Sequence, residues 1–114
     1  MEILDISKIE ISNIKNEMIK YKKLKLIGQI SSLNIDEYYT MLDLSELDCK
    51  TLIYKNQNGK SINKHKLPNN LIELLCYKND LLILPKLPDS LKLLHCQNNK
   101  LKKLPKLPNS LEIL

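Results

Sequence analysis

The sequence predicts an α/β solenoid: a curved parallel β-sheet, an extended or polyproline-like convex side and a mixed N-terminal cap. Three observations predict it. Residues 67–86 (LPNNLIELLCYKNDLLILPK), 87–106 (LPDSLKLLHCQNNKLKKLPK) and 107–114 (LPNSLEIL) repeat with a period of 20 and no gaps. Within each unit, apolar residues two apart mark one face of a strand. Pro85, Pro88, Pro105 and Pro108 return at the same period, where proline forbids a helix interior. A period in this range means stacked supersecondary units that share one core.

The first 45 residues do not fit the period and are assigned as the cap. ILDISKIEI alternates enough for a strand or hairpin. Ser12 is placed to cap a helix running to about Lys23, with Ile14, Met18 and Tyr21 on one face. Leu24–Ile27 reads as a strand, and Asp36 as the cap of a second helix, EYYTMLDL. The repeats then occupy 46–114: a degenerate unit at 46–66, full units at 67–86 and 87–106, and a partial one at 107–114. In the degenerate unit Cys49, Leu52, Tyr54, Gln57 and Ile62 sit 22 positions before Leu71, Leu74, Cys76, Asn79 and Leu84. The two extra residues fall in the turn-rich NGKSINKHK.

The strand register predicts an inward column of Leu52, Leu74, Leu94 and Leu114, with Tyr54, Cys76 and Cys96 beside it. Stacked strands lie about 4.8 Å apart. Asn79 and Asn99 follow the strand, where an amide can donate to and accept from the neighbouring turn. PKLP returns the chain in extended geometry. A thin convex side against a wider strand spacing curves the sheet and leaves the concave face open.

LPxSLxxLxCxxNxLxxLPxLP resembles the short bacterial-type leucine-rich repeat of type III secreted effectors from enteric pathogens, the YopM-like and IpaH-like group. The Cys at the sixth position and the Lys/Asn/Ile bias are also similar to repeat proteins of giant viruses that infect amoebae. The resemblance covers 67–114 strongly and 46–66 weakly, and it implies a protein-interaction solenoid. IpaH-like effectors add a ubiquitin-ligase domain with a catalytic Cys in a CxD motif. Here Cys49, Cys76 and Cys96 are followed two positions later by Thr51, Lys78 and Asn98, so the resemblance implies no ligase activity.

Composition narrows the function. The chain has 114 residues, 43% hydrophobic and 27% charged, too apolar for disorder. Phe, Trp, Val, Ala and Arg are missing, so layered Leu and Ile must fill the core. Net charge is +5: residues 1–45 hold 6 Lys and 7 acids, and 46–114 hold 12 Lys and 6 acids. A basic surface admits polyanions. Without Arg forks and with five Tyr, the balance argues against nucleic acid, and lysine reads as a solubilising surface residue. No apolar run approaches the ~20 residues of a membrane helix. The N-terminus lacks the pattern of a signal peptide. Three free thiols fit a reducing, cytoplasmic setting, including a host cytoplasm reached by a leaderless route.

Candidate sites follow from the strand alternation. Thr51, Ile53 and Lys55, then Glu73, Leu75 and Tyr77, then Leu93, His95 and Gln97, and finally Ile113 face the concave side. Of these, Leu75, Tyr77, Leu93, His95, Gln97, Glu73 and Lys55 are taken as the partner-binding set, since exposed apolar and Tyr patches mark contacts. Cys76 and Cys96 point inward and His95 outward, which argues against zinc. His65, in KHK, reads as a solvated loop residue. Neither a catalytic residue nor a cofactor or metal is expected. The expected function is non-catalytic protein binding, with polyanion binding as one alternative and a self-assembling remnant or fragment as the other. The array stops mid-strand at Leu114, and the open edge predicts self-association.

Overall fold

The computed structural model describes residues 1–55, 57, 62, 64–76, 81–97, 99–101 and 104–113. Its elements in order are β1 (Glu2–Asp5), a 3₁₀ turn (Ile6–Lys8), α1 (Ile11–Met18), β2 (Lys23–Gln29), β3 (Ser32–Ile35), β4 (Met41–Asp43), β5 (Leu47–Asp48), β6 (Thr51–Tyr54), β7 (Glu73–Leu75) and β8 (Leu93–His95). Among the described residues every strand pairing is parallel, and the strands form two sheets. One runs β1-β2-β4, with β5 on the far end of β2; the other runs β3-β6-β7-β8.

The second sheet carries the repeat. Ser32 pairs with Thr51, Thr51 with Glu73, Glu73 with Leu93, and Leu93 bridges to Ile113. Successive partners are thus 19, 22, 20 and 20 residues apart. A shared hydrogen-bond device marks each step. The N–H groups of Lys50 and Thr51 donate to Ser31 O, those of Ile72 and Glu73 to Lys50 O, those of Lys92 and Leu93 to Ile72 O, and those of Glu112 and Ile113 to Lys92 O. Just before β7, β8 and the bridge at Ile113, the N–H of Leu71, Leu91 and Leu111 closes a turn on the carbonyl of Pro68, Pro88 and Pro108. The return path at 83–88 holds neither helix nor strand, as its prolines require.

The core lies between the sheets. Leu24, Leu26, Leu42 and Leu44 reach it from the first sheet, and Leu33, Leu52, Leu74 and Leu94 from the second. Tyr54 and Cys76 are buried beside that column, and Cys96 is half-buried. Leu114 lies outside the described residues.

The N-terminal third differs from expectation in three ways. The periodic pairing begins at β3, inside the segment assigned as cap. EYYTMLDL is not a helix. The Asp36 side chain accepts the Tyr38 N–H at 2.9 Å to close a turn, and β4 follows. Met41 to Leu44 alternates half-buried and buried, a strand period rather than a helical one. Finally, β1 pairs with β2 in parallel, so 3–11 is no hairpin. The expected first helix exists but is shorter: it starts after Glu10, places Ser12 in its first turn, and stops at Met18 because β2 begins at Lys23. Ile14 and Met18 are buried and Tyr21 packs beside them.

LDIS at 4–7 and LDLS at 42–45 form a second repeated signature. In each, the Asp carboxylate accepts the Ser N–H at 3.0 Å and the Ser hydroxyl at 2.6 Å, closing the end of a first-sheet strand. Gly28 lies against the first of these turns with φ of 113°. A Cβ there would stand 3.0 Å from the Ser7 nitrogen, so the close approach and the backbone both require glycine.

Candidate functional site: the open face of the second sheet

Alternation along the second sheet gives each strand a core side and an open side. Core-facing Leu52, Leu74 and Leu94 are fully buried, while Thr51, Ile53, Glu73, Leu75, Leu93 and His95 are half-buried. The pairing register sets the open-side residues in two rows. Ser32, Thr51, Glu73, Leu93 and Ile113 form one; Asn34, Ile53, Leu75 and His95 form the other. Of the expected binding set, the structure therefore brings together Glu73, Leu75, Leu93 and His95. Lys55 and Gln97 follow their strands as exposed residues at the rim. Tyr77 lies outside the described residues. Ile53 and Asn34 complete the second row. The sequence does not reveal Asn34, because its strand lies in the segment that the 20-residue period leaves to the cap.

The rows hold an apolar cluster, Ile53 and Leu75 paired in one row and Leu93 in the other row on the next strand, flanked by the Glu73 carboxyl and the His95 imidazole. Such a face offers shape, apolar area and both signs of hydrogen-bonding group, which suits recognition of a protein surface.

Beneath it, the scaffold is fastened by side-chain amides and hydroxyls. Asn99 donates to Cys76 O at 2.8 Å and Cys96 O at 3.0 Å, and its carbonyl accepts the Leu81 N–H at 3.0 Å. Gln57 is buried and donates to Ile35 O and Lys55 O, both at 3.2 Å. These two amides do what the repeat pattern assigns them: each ties its own turn to the preceding one. Asn79 lies outside the described residues. The serines of the LPxS turns were not foreseen as ties. Ser90 Oγ donates to Asn69 O and Leu71 O, and Ser110 Oγ to Asp89 O and Leu91 O.

His65 corrects the sequence expectation. It is buried, not solvated, and its Nδ1 lies 2.9 Å from the Tyr54 hydroxyl. Burial pulls its pKa down to about 4, against a backbone hydrogen bond to Tyr39 that favours the charged form. A Tyr in a column otherwise made of Cys brings a hydroxyl into the core, and a buried hydroxyl needs a partner. That was the available signal.

The three cysteines are free. Burial raises the pKa of Cys49 and Cys96, and that of Cys76 to about 12, so all three are held as thiols. Among the described residues no group of three His, Cys, Asp or Glu side chains could hold a metal ion. Among the same residues no helix is long and apolar enough to cross a membrane.

No protein-family model, no curated protein and no solved structure matches this chain, so the open face of the second sheet carries the functional argument.

Proposed function

We propose that this chain is a short leucine-rich-repeat-like solenoid that binds a protein partner through its concave sheet, without catalysis. The supporting observation is the pair of registered rows, with Ile53, Leu75 and Leu93 half-exposed at their centre. Three free thiols and the lysine-rich surface favour a cytoplasmic setting. Binding needs no cofactor. A photo-crosslinker placed at Leu75 in cells should capture a discrete partner. The same crosslinker should lose it in a Leu93→Glu, His95→Ala background whose circular dichroism matches wild type. Capture that survives those substitutions sinks the reading.

A second reading has its own support. Lys64, Lys66 and Lys86 line a groove of about 900 Å³ on the side of the first sheet, and exposed Lys106 continues Lys66 and Lys86 at the 20-residue period. A column of this kind suits a polyanion. Polyanion binding weakens steeply with salt, whereas an apolar concave contact does not.

A further inference from the structure

The first strand of the repeat sheet has an open side. Among the described residues β3 pairs with β6 alone. Ser31 O and Ile35 O accept hydrogen bonds from the β6 side. Backbone groups alternate along a strand, so Leu33 faces β6 as well, while the N–H and C=O of Ser32 and Asn34 point the other way. No backbone or side-chain hydrogen bond among the described residues satisfies them. An unpaired edge of this kind is a template for another strand.

That edge opens into a groove. Helix α1 stands across from β3, and the space between them is about 360 Å³, within the roughly 300–1,000 Å³ typical of ligand sites. The groove runs along the whole strand, from Ser32 to Asp36. Its floor is apolar, built by Ile14, Met18, Ile30 and Leu33, and Ile11 stands 81% exposed at its lip. Lys15 from α1 and Lys55 from beyond β6 stand at its polar rim, and among the described residues neither ammonium has an ion-pair partner. The one acid there, Asp36, already accepts the Tyr38 N–H.

We propose that this groove accepts an extended, acidic peptide segment that adds a strand to the free edge of β3. Main-chain hydrogen bonds to Ser32 and Asn34 would hold it, as in other strand-addition complexes. Its residues must alternate. Those in line with Leu33 and Ile35 point to the floor and are aliphatic. Those in line with Ser32 and Asn34 point to the open side, where an acid meets Lys15 and Lys55. The occupant differs from the concave partner, and this site stands whether or not the concave reading does.

The probe is a fluorescein-labelled Glu-Ile-Glu-Ile-Glu peptide, with binding read by anisotropy. A reordered peptide of the same composition, Ile-Ile-Glu-Glu-Glu, and a peptide N-methylated on the amides facing β3 serve as controls. The alternating peptide should bind, and each control should bind about tenfold more weakly or worse. Asn34→Pro removes an outward N–H from an edge strand, a place where proline is tolerated, and should weaken binding by a similar factor. Lys15→Glu with Lys55→Glu should do so as well. If Asn34→Pro does not fold, the N-methylated peptide against the wild-type chain decides the matter. Binding weaker than about 1 mM overturns the proposal. So does binding indifferent to N-methylation, which would mean charge attraction without a strand.

Discussion

Two stretches with nearly the same sequence pattern differ sharply in burial. Leu81, Leu84, Leu87 and Leu91 are buried; Leu101, Leu104, Leu107 and Leu111 hold the same places 20 residues later and are not. Leu84 is 3% exposed and Leu104 40%; Leu87 is 5% and Leu107 36%. The difference is the neighbour. The following turn is fastened to the earlier one, with the Lys100 N–H donating to Leu81 O and the Leu81 N–H to Asn99 Oδ1. The later leucines have no described residues over them. Burial here belongs to the stack rather than to the repeat, and stability should therefore follow nearest-neighbour interfaces.

The largest expected effect tests that contrast directly. Leu84→Ala should cost about 2–5 kcal/mol, the range for deleting a fully buried leucine. Leu104→Ala should cost about 1 kcal/mol or less, near the range of surface changes. Urea denaturation of both variants checks it. Equal costs break the comparison. A Leu104 cost that grows with protein concentration sharpens it, because a second copy would then cover the open face.

Next comes the buried imidazole beneath the central strands. His65 is neutral in the fold with its pKa at about 4, against 6.5 for an unperturbed histidine. The unfolded chain therefore takes up a proton first as pH falls. Stability is whole above about pH 6.5 and declines toward pH 4. By linkage the loss amounts to roughly 3 kcal/mol. Carboxylates titrate in the lower half of this window, so the measurement is a difference. The urea midpoint of wild type should fall, relative to that of a His65→Leu, Tyr54→Phe double variant, as pH drops from 7 to 4. Parallel curves would mean that His65 does not titrate with folding.

Much of the fold was legible because the repeat is exact in its own chemistry. Leu74 and Leu94 could be placed in the core, and Asn99 could be assigned as a tie, from the 20-residue register, and Leu52 from the 22-residue offset of the degenerate unit. The earlier turn of the stack was not legible. Ser32–Ile35 comes 19 residues before Thr51–Tyr54, and its preceding turn lacks the Pro-x-Ser-Leu signature. Its return path carries an Asp36 turn and the strand β4 instead of prolines. Asp36 next to Tyr38, Tyr39 and Thr40 imitates a helix start, and only the alternation of Leu42 and Leu44 argues otherwise. Of the concave site, the rows at Glu73, Leu75, Leu93 and His95 followed from strand period. Asn34 and the groove beside it did not, because a free edge is defined by what fails to pair with it, and no local pattern encodes that.

The smallest effect separates the two forces that hold the stack. Apolar burial at one turn needs the following turn, but the serine ties run backwards. Ser90 donates to Asn69 O and Leu71 O, and Ser110 makes the equivalent bonds to Asp89 O and Leu91 O. Both are complete although the leucines around Ser110 are half-exposed. Ser90→Ala and Ser110→Ala should therefore each cost about 1 kcal/mol, the usual net value of such a bond, and should cost the same. Paired urea melts decide it. If Ser110→Ala is silent while Ser90→Ala is not, the backward ties also depend on a covering turn. Hydrogen bonding and burial would then propagate along the stack as one cooperative interaction instead of two.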